Sequence, residues 1–279
     1  MSSRWIDVSG GRLFVEVAGQ GEPILLLHGW PLDHRMFEPQ LKVLAERFRV
    51  IAPDRRGFGK SEAGPGLRLE LDDIDAVLDA LNEDSTHLLG MSQGGRIALR
   101  YATTRPERVR SLMLQGAVID GYDVAGSEDD GVPVVDYAEL AAIGRLDEVV
   151  DQWLNHPMMR LDDRHQSAQQ LLREIMQDYR GLDLLDFDAA SYAPGHDVFA
   201  ALSDLPMPTL VLTGAEETPA RRAHAAALVS RIPDCHELVF QRSGHLSNLT
   251  EAEAYNASII RFCEDLNDND LTLAGGAFD

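Results

Sequence analysis

Two kinds of hydrophobic pattern alternate along the chain. Short apolar runs, typical of strands covered on both faces of a parallel sheet, occur at 23–27, 50–52, 86–89, 109–114 and 209–213, and residues 12–17 alternate like a half-buried strand. Candidate helices, several with apolar residues at three-to-four spacing, occur at 41–47, 70–81, 95–103, 220–230 and 251–266. This alternation predicts an α/β protein with a largely parallel sheet.

The strand pattern stops after Ile119. Residues 120–200 contain helical stretches, including amphipathic segments at 146–154 and 171–176, but no convincing parallel strand. We therefore predict a helical cap inserted at 120–200 into an α/β core that is formed by residues 1–119 and 201–279.

Composition narrows the possible partners. With 25 basic and 46 acidic residues among 279, the formal net charge is −21, so the surface should repel nucleic acid and anionic lipid. No apolar run approaches the ~20 residues of a membrane span, and residues 1–7 lack the apolar core of a signal peptide, which favours a cytoplasmic protein. The two cysteines, Cys235 and Cys263, and the scattered histidines form no disulfide or zinc pattern, so we expect no metal.

The segment Gly90-Met91-Ser92-Gln93-Gly94 lies between a strand-like and a helix-like run. A serine at such a strand-to-helix turn is typical of a nucleophile elbow, in which small neighbours let the strand and the helix approach each other. The hydroxyl is a weak nucleophile until a base removes its proton. The motif therefore requires a histidine and a carboxylate further along the chain.

The best candidate for the base is His245, because it follows the strand-like residues 238–240 and precedes the final helix. The acid should follow a strand between the serine and the histidine, where a carboxylate can orient the imidazole. Glu217 directly follows the strand at 209–213, whereas Asp120 follows the preceding strand after a longer gap. We favour Glu217 and keep Asp120 as the alternative.

Acyl transfer also needs two N–H groups that stabilise the developing oxyanion. The amide of Gln93, at a helix N-terminus, is the first candidate, and the amide of Trp30, in the loop after an early strand, is the second. Four apolar residues of the predicted cap are candidates for an acyl pocket, although such residues are more often simple core. They are Trp153, Leu154, Met158 and Met159.

The segment 57–61 (Gly-Phe-Gly-Lys-Ser) looks like the end of a phosphate-binding loop, but Asp54 stands where such a loop requires its first glycine. We expect a tight turn there instead, with Asp54 and Arg56 paired locally.

Four motifs together resemble the α/β-hydrolase superfamily: His28-Gly29-Trp30, residues 53–61, Gly90-Met91-Ser92-Gln93-Gly94-Gly95 and Ser243-Gly244-His245. The resemblance implies an eight-stranded, mostly parallel sheet with flanking helices, a helical cap after the sixth strand and a serine–histidine–acid triad. The family usually has aspartate at the position of Glu217. Relatives that hydrolyse epoxides or haloalkanes use an aspartate nucleophile, so Ser92 argues against both activities.

The function that this resemblance implies is a cofactor-free serine hydrolase that cleaves a small carboxylic ester or lactone through an acyl-enzyme. Carbon–carbon bond hydrolysis, or perhydrolysis that supports halide oxidation, could use the same triad. A receptor that retains the pocket without catalysis is a third possibility, which the complete catalytic set disfavours.

Overall fold

An eight-stranded sheet organises the computed structural model, which describes residues 1–124, 132–186 and 197–266. The strands are β1 (Ser2–Val8), β2 (Gly11–Ala18), β3 (Pro23–Leu27), β4 (Arg49–Pro53), β5 (Thr86–Met91), β6 (Val109–Gln115), β7 (Thr209–Gly214) and β8 (Cys235–Phe240). Their spatial order is β1-β2-β4-β3-β5-β6-β7-β8. The pairs β1–β2 and β2–β4 are antiparallel and the other five are parallel, so the predicted sheet of eight mostly parallel strands is confirmed.

Helices connect most of the strands. They are α1 (Glu38–Leu44), α2 (Glu70–Ala80), α3 (Gln93–Thr104), α4 (Val134–Ala142), α5 (Leu146–Leu154), α6 (Gln166–Gln177), α7 (Leu182–Leu185), α8 (Val198–Ala201), α9 (Pro219–Arg231), α10 (Ser247–Thr250) and α11 (Ala252–Asp265). Short 3₁₀ turns occupy His34–Phe37, Pro106–Arg108, Pro157–Met159, Asp163–His165 and Leu202–Asp204. In the described ranges, no helix is long and apolar enough to cross a bilayer.

Side chains of the central strands alternate between two apolar clusters, one on each face of the sheet. In β3, Ile24 and Leu26 belong to one cluster and Leu25 and Leu27 to the other. Helices α1 and α11 contribute to the first cluster, and α2, α3 and α9 contribute to the second. Strands β3, β5 and β7 are buried along their whole length, which explains the apolar runs in their sequences.

The structure differs from the sequence-based expectation at two elements. The first strand was not predicted, because Ile6 is its only buried residue and the rest of this edge strand is polar or exposed. The first helix spans 38–44 instead of 41–47, since Pro39 occupies its first turn, where a proline costs no hydrogen bond.

The chain between β6 and β7 contains α4 to α8 and no strand within its described residues. The predicted helix at 146–154 is confirmed as α5, and the predicted segment at 171–176 lies inside α6. Residues 125–131 and 187–196 of the predicted cap, and 267–279 of the predicted core, lie outside the described residues. The division of the chain into a core and a cap domain stays a prediction.

Candidate active site

Ser92 occupies the turn between β5 and α3 in a strained backbone conformation, with φ 53° and ψ −115°. A non-glycine residue in such a conformation costs on the order of 1–3 kcal/mol and persists only where the surrounding structure enforces it. The neighbouring elements leave little room: a Cβ at Gly94 would lie 2.2 Å from the carbonyl oxygen of Leu27. The geometry therefore corresponds to the predicted strand–turn–helix with its serine at the apex.

The loop after β3 packs directly against this turn. A Cβ added at Gly29 would lie 2.5 Å from the sulfur of Met91 and 3.4 Å from the Cβ of Ser92. The loop therefore brings Gly29, the neighbour of Trp30 in the chain, against the serine. Gln93 is the first residue of α3, where backbone N–H groups have no intrahelical partner and favour an anion. Gln93 follows Ser92 directly, and the Trp30 amide as the second oxyanion donor stays a prediction.

His245 lies in the loop after β8 and contacts Glu217, which lies between β7 and α9. The distance from its Nδ1 to Oε2 of Glu217 is 2.5 Å, and both side chains are buried. The other carboxylate oxygen, Oε1, accepts from the amide of Thr218 at 2.8 Å. Burial opposes the charged form of Glu217, but His245, the Thr218 amide and the charge of Arg221 outweigh it and lower the pKa of the carboxyl below its usual value. These contacts therefore favour the ionised form of Glu217 beside the imidazole.

Asp120 follows β6, as predicted, but points toward α3. Its Oδ1 accepts from Nε of Arg96 at 2.6 Å and its Oδ2 accepts from Nε of Arg100 at 2.6 Å. Burial opposes its charged form, yet the two arginines outweigh burial and lower the pKa of Asp120. Two guanidinium groups thus engage both oxygens, and the imidazole is engaged by Glu217 instead.

Two residues where β6 ends contact this pair, and neither was predicted from the sequence. The side chain of Gln115 donates to the backbone oxygen of His245 at 2.8 Å and accepts from the hydroxyl of Tyr255 at 2.6 Å. The backbone oxygen of Gln115 accepts from the amide of Ser92 at 2.7 Å. Gln115 therefore bonds to the backbone of both Ser92 and His245. The available signal was a polar residue at the end of an otherwise buried, apolar strand.

The second missed residue is Gly116, which has φ +55° and lies against the imidazole. A Cβ there would be 2.5 Å from Cε1 and 2.7 Å from Nδ1 of His245, and 3.2 Å from Oε2 of Glu217. Any side chain at position 116 would occupy the space of the histidine–carboxylate pair.

We expect Gly116→Ala to lower kcat/KM for an ester by about 10²-fold, since a displacement of about 1 Å in a catalytic geometry has an effect of this size. Steady-state kinetics on folded protein measure the effect. The matched control is Gly64→Ala, because a Cβ at Gly64 meets no atom within 4 Å. Equal activity of the two variants would contradict the close approach at position 116.

The helices between β6 and β7 cover Trp30. Its ring centroid lies 4.8 Å from that of Trp153 in an edge contact and 6.1 Å from that of Tyr137 in a stacked one. The indole N–H of Trp153 is buried and has no hydrogen-bond partner among the described residues. Such a donor is costly in a folded protein. Of the four predicted cap residues, Trp153 is the one whose ring contacts Trp30, and its role in substrate binding stays a prediction.

The other predicted pocket residues lie in the same apolar cluster, where Met158 and Met159 are buried and Leu154 is half-buried. Leu154 and Met159 also line a groove between α5 and α6, on the side of Gln169 and Arg173. Their contacts fit packing between helices.

The turn after β4 is held by ion pairs other than the one predicted. The predicted pairing of Asp54 with Arg56 is wrong, because helix α2 brings Asp73 to within 2.6 Å of Arg56. Asp54 accepts instead from the amide and Nδ1 of His34 and from the amide of Lys60.

Asp33, His34 and Asp54 are the described residues that lie close enough together to share a metal ion. Protein donors already engage their carboxylates: Asp33 accepts from Arg35 at 2.7 Å, and Asp54 accepts from His34 at 2.6 Å. The carboxylates of the cluster are therefore already hydrogen-bonded to protein donors, and these contacts hold the turn.

Comparison with known proteins identifies the family. A family model described as alpha/beta hydrolase fold matches residues 22–252. The chain is 31% identical over 264 residues to the AB hydrolase superfamily protein YisY of Bacillus subtilis, covering 90% of this chain and 94% of that protein. It is 28% identical over 272 residues to a 2-hydroxy-6-oxo-6-phenylhexa-2,4-dienoate hydrolase of Burkholderia cepacia, covering 91% of this chain and 92% of that protein.

Among solved structures, an esterase from Exiguobacterium antarcticum is similar with a TM-score of 0.77 and 26% identity, over 94% of this chain and 100% of that chain. The chain belongs to the α/β hydrolase fold family, which confirms the resemblance drawn from its motifs. The enzyme class that its fold and relatives support is that of a hydrolase.

Proposed function

We propose that the protein is a serine hydrolase that cleaves a small carboxylic ester or lactone through an acyl-enzyme intermediate. The observation that carries the proposal is the contact of 2.5 Å between His245 and Glu217, at the same edge of the sheet as the strained Ser92 turn. This edge is formed by the carboxyl ends of β5 and β7, together with the loop after β8.

The contact defines which nitrogen of His245 can act as a base. Glu217 accepts at Nδ1, so the neutral imidazole carries its proton there and leaves the Nε2 lone pair free. In the proposed reaction, Nε2 takes the proton of the Ser92 hydroxyl while Oγ attacks the substrate carbonyl. The imidazolium then protonates the leaving alcohol, and water hydrolyses the acyl-enzyme by the same proton transfers in reverse order.

The amides of Gln93 and Trp30 would stabilise the negative oxygen of the tetrahedral intermediate. Removing one donor of this kind costs on the order of 3 kcal/mol of barrier. Every step uses groups of the chain itself, so the proposal needs no cofactor. The similarity to the Exiguobacterium antarcticum esterase supports ester hydrolysis.

Carbon–carbon bond hydrolysis is the second candidate, favoured by the similarity to the Burkholderia cepacia dienoate hydrolase over 91% of this chain. A panel of short p-nitrophenyl esters, enol-lactones and vinylogous diketones separates the two. A kcat/KM that is highest for the diketones would replace ester hydrolysis with carbon–carbon cleavage.

The proposal predicts that a fluorophosphonate forms one covalent adduct, on Ser92, because only a serine activated by a base reacts at neutral pH. Peptide mass spectrometry after labelling locates the adduct. Denatured protein is the control and should not react. An adduct on another serine, or none on folded protein, would remove Ser92 from the mechanism.

A further inference from the structure

A buried carboxylate contacts the side chain of Trp30 and does not belong to the proposed catalytic residues. Asp183, on α7, accepts from the indole Nε1–H of Trp30 at 2.5 Å through Oδ2 and from the hydroxyl of Tyr179 at 2.7 Å through Oδ1. Asp183 is 8% exposed. Both donors are neutral, and the nearby cation, Arg55, already pairs with Glu70 at 2.7 Å.

A charge in this position is expensive. A buried carboxylate that is bonded to neutral donors is less favourable than an apolar side chain of similar volume, and the surroundings are aromatic. Trp30 alone contacts the rings of Tyr137, Trp153 and Tyr179. Packing would be served equally well by leucine, so the carboxylate calls for another explanation.

Residues 178–180, just before the helix that carries Asp183, contact the segments that follow β3 and β4. Asp178 pairs with Arg35 at 2.8 Å, and the ring of Tyr179 stacks on Phe58 with centroids 6.4 Å apart. Arg180 donates to the backbone oxygen of Ser61 at 2.7 Å. Asp183 is therefore a fixed acceptor to which the indole of Trp30 is held.

Trp30 connects this acceptor to the proposed chemistry. Its side chain bonds to Asp183, while its backbone amide is the proposed second oxyanion donor next to Ser92. The side chain and the amide share one Cα, so an indole held in place restrains that Cα and the loop backbone that orients the amide. Such a donor is effective only when it is already aimed at the position of the oxyanion.

We propose that Asp183 is a positioning residue that holds the indole of Trp30 and thereby aims the Trp30 amide at the oxyanion. The inference rests on the proposed function. It adds an acid from the helical segment between β6 and β7 to the residues on which turnover depends.

The test compares Asp183→Leu, which removes both acceptors, with Asp183→Asn, which keeps one amide oxygen for Trp30 in the same volume. We expect Asp183→Leu to lower kcat for p-nitrophenyl acetate by about 10- to 10²-fold with KM changed by less than about threefold, since a misaimed donor costs part of the effect of a missing one. Asp183→Asn should recover most of kcat. A kcat of Asp183→Leu equal to that of the parent would overturn the proposal.

Trp30→Phe keeps a ring but removes the indole N–H, so it breaks the same bond from the other side. We expect it to lower kcat by a similar factor, and Asp183→Leu in the Trp30→Phe background should cause no further loss beyond about twofold. If Asp183→Leu lowers kcat in the Trp30→Phe background as much as it does in the parent, Asp183 acts through something other than Trp30. If the Asp183 variants do not fold, an unchanged kcat of Trp30→Phe overturns the proposal on its own.

The control is Trp5→Phe, which alters a tryptophan that is 45% exposed on β1 and should leave kcat unchanged. Fluorophosphonate labelling of the parent protein distinguishes a failure of the proposed function from a failure of the positioning by Asp183. A parent that is not labelled on Ser92 contradicts the proposed function, whereas a labelled, active parent with unaffected Asp183 and Trp30 variants contradicts only the positioning by Asp183.

Discussion

Ser92→Ala is expected to lower ester turnover by about 10⁴-fold or more. Loss of the nucleophile in a serine–histidine–acid triad leaves only the contribution of the oxyanion hole and of substrate binding. The proposed oxyanion donors are backbone amides, so they remain in the variant. We expect KM to change little while kcat falls to the residual value.

The size of this loss tests catalysis itself, because a receptor that merely retains the pocket would show no serine-dependent turnover. The measurement is the initial rate with a short p-nitrophenyl ester, compared with the rate of the uncatalysed reaction. Ser258→Ala is the matched control, since Ser258 is half-buried on α11 and its hydroxyl donates to the backbone oxygen of Ala254 in its own helix. Turnover by Ser92→Ala within tenfold of the parent would contradict nucleophilic catalysis by this residue.

The features that the sequence predicted well depend on nearby residues. The turn at Ser92 is one example, because the glycines that allow it lie within three positions and the flanking strand and helix have unambiguous apolar patterns. The central strands are another, since burial on both faces makes them continuously apolar. By contrast, β1 is an edge strand with one buried residue, so its pattern contains little information.

The features that the sequence missed depend on contacts between distant parts of the chain. Asp183 lies 153 residues from Trp30, and Gln115 lies 130 residues from His245. Their types are ordinary, and only the packing of helices and loops around the sheet gives them their partners. The wrong pairing of Asp54 with Arg56 has the same origin, because helix α2 supplied a better-placed partner for the arginine.

The sequence favoured Glu217 without excluding Asp120, because both residues follow buried strands. In the structure the chain after β6 turns Asp120 toward α3, where Arg96 and Arg100 present their guanidinium groups. Those arginines lie 24 and 20 residues from Asp120, on the same side of α3. On that helix face two guanidinium groups neutralise the Asp120 carboxylate, whereas Glu217 meets the imidazole of His245 from the loop after β8.

This difference in surroundings predicts opposite consequences of the same chemical change at the two positions. Glu217→Gln should lower kcat by about 10⁴-fold, as in triads where the amide holds the histidine in the wrong tautomer. The side chain keeps its volume and can still bond, so the melting temperature should change little. Asp120→Asn should leave kcat within about threefold of the parent, because no catalytic group touches it.

The cost of Asp120→Asn should appear in stability instead. Removing one partner of a buried ion pair leaves the other uncompensated, which costs about 3–5 kcal/mol when the pair is fully buried, and Arg100 is 5% exposed. The folded-state pKa of Asp120 is lowered, so its contribution is present above the unfolded pKa of about 4 and is lost as the pH falls through the folded value. The stability difference between the parent and Asp120→Asn should therefore be largest near neutral pH and should narrow below about pH 4.

Urea unfolding measures the free energy of unfolding of each variant, and steady-state kinetics on the same preparations measure its kcat. The combination is informative because each variant serves as the control for the other, with one carboxylate converted to an amide in both. An inactive but stable Asp120→Asn together with an active Glu217→Gln would transfer the acid to Asp120. Since both oxygens of Asp120 bond to arginines, that outcome would also require the loop after β6 to rearrange when substrate binds.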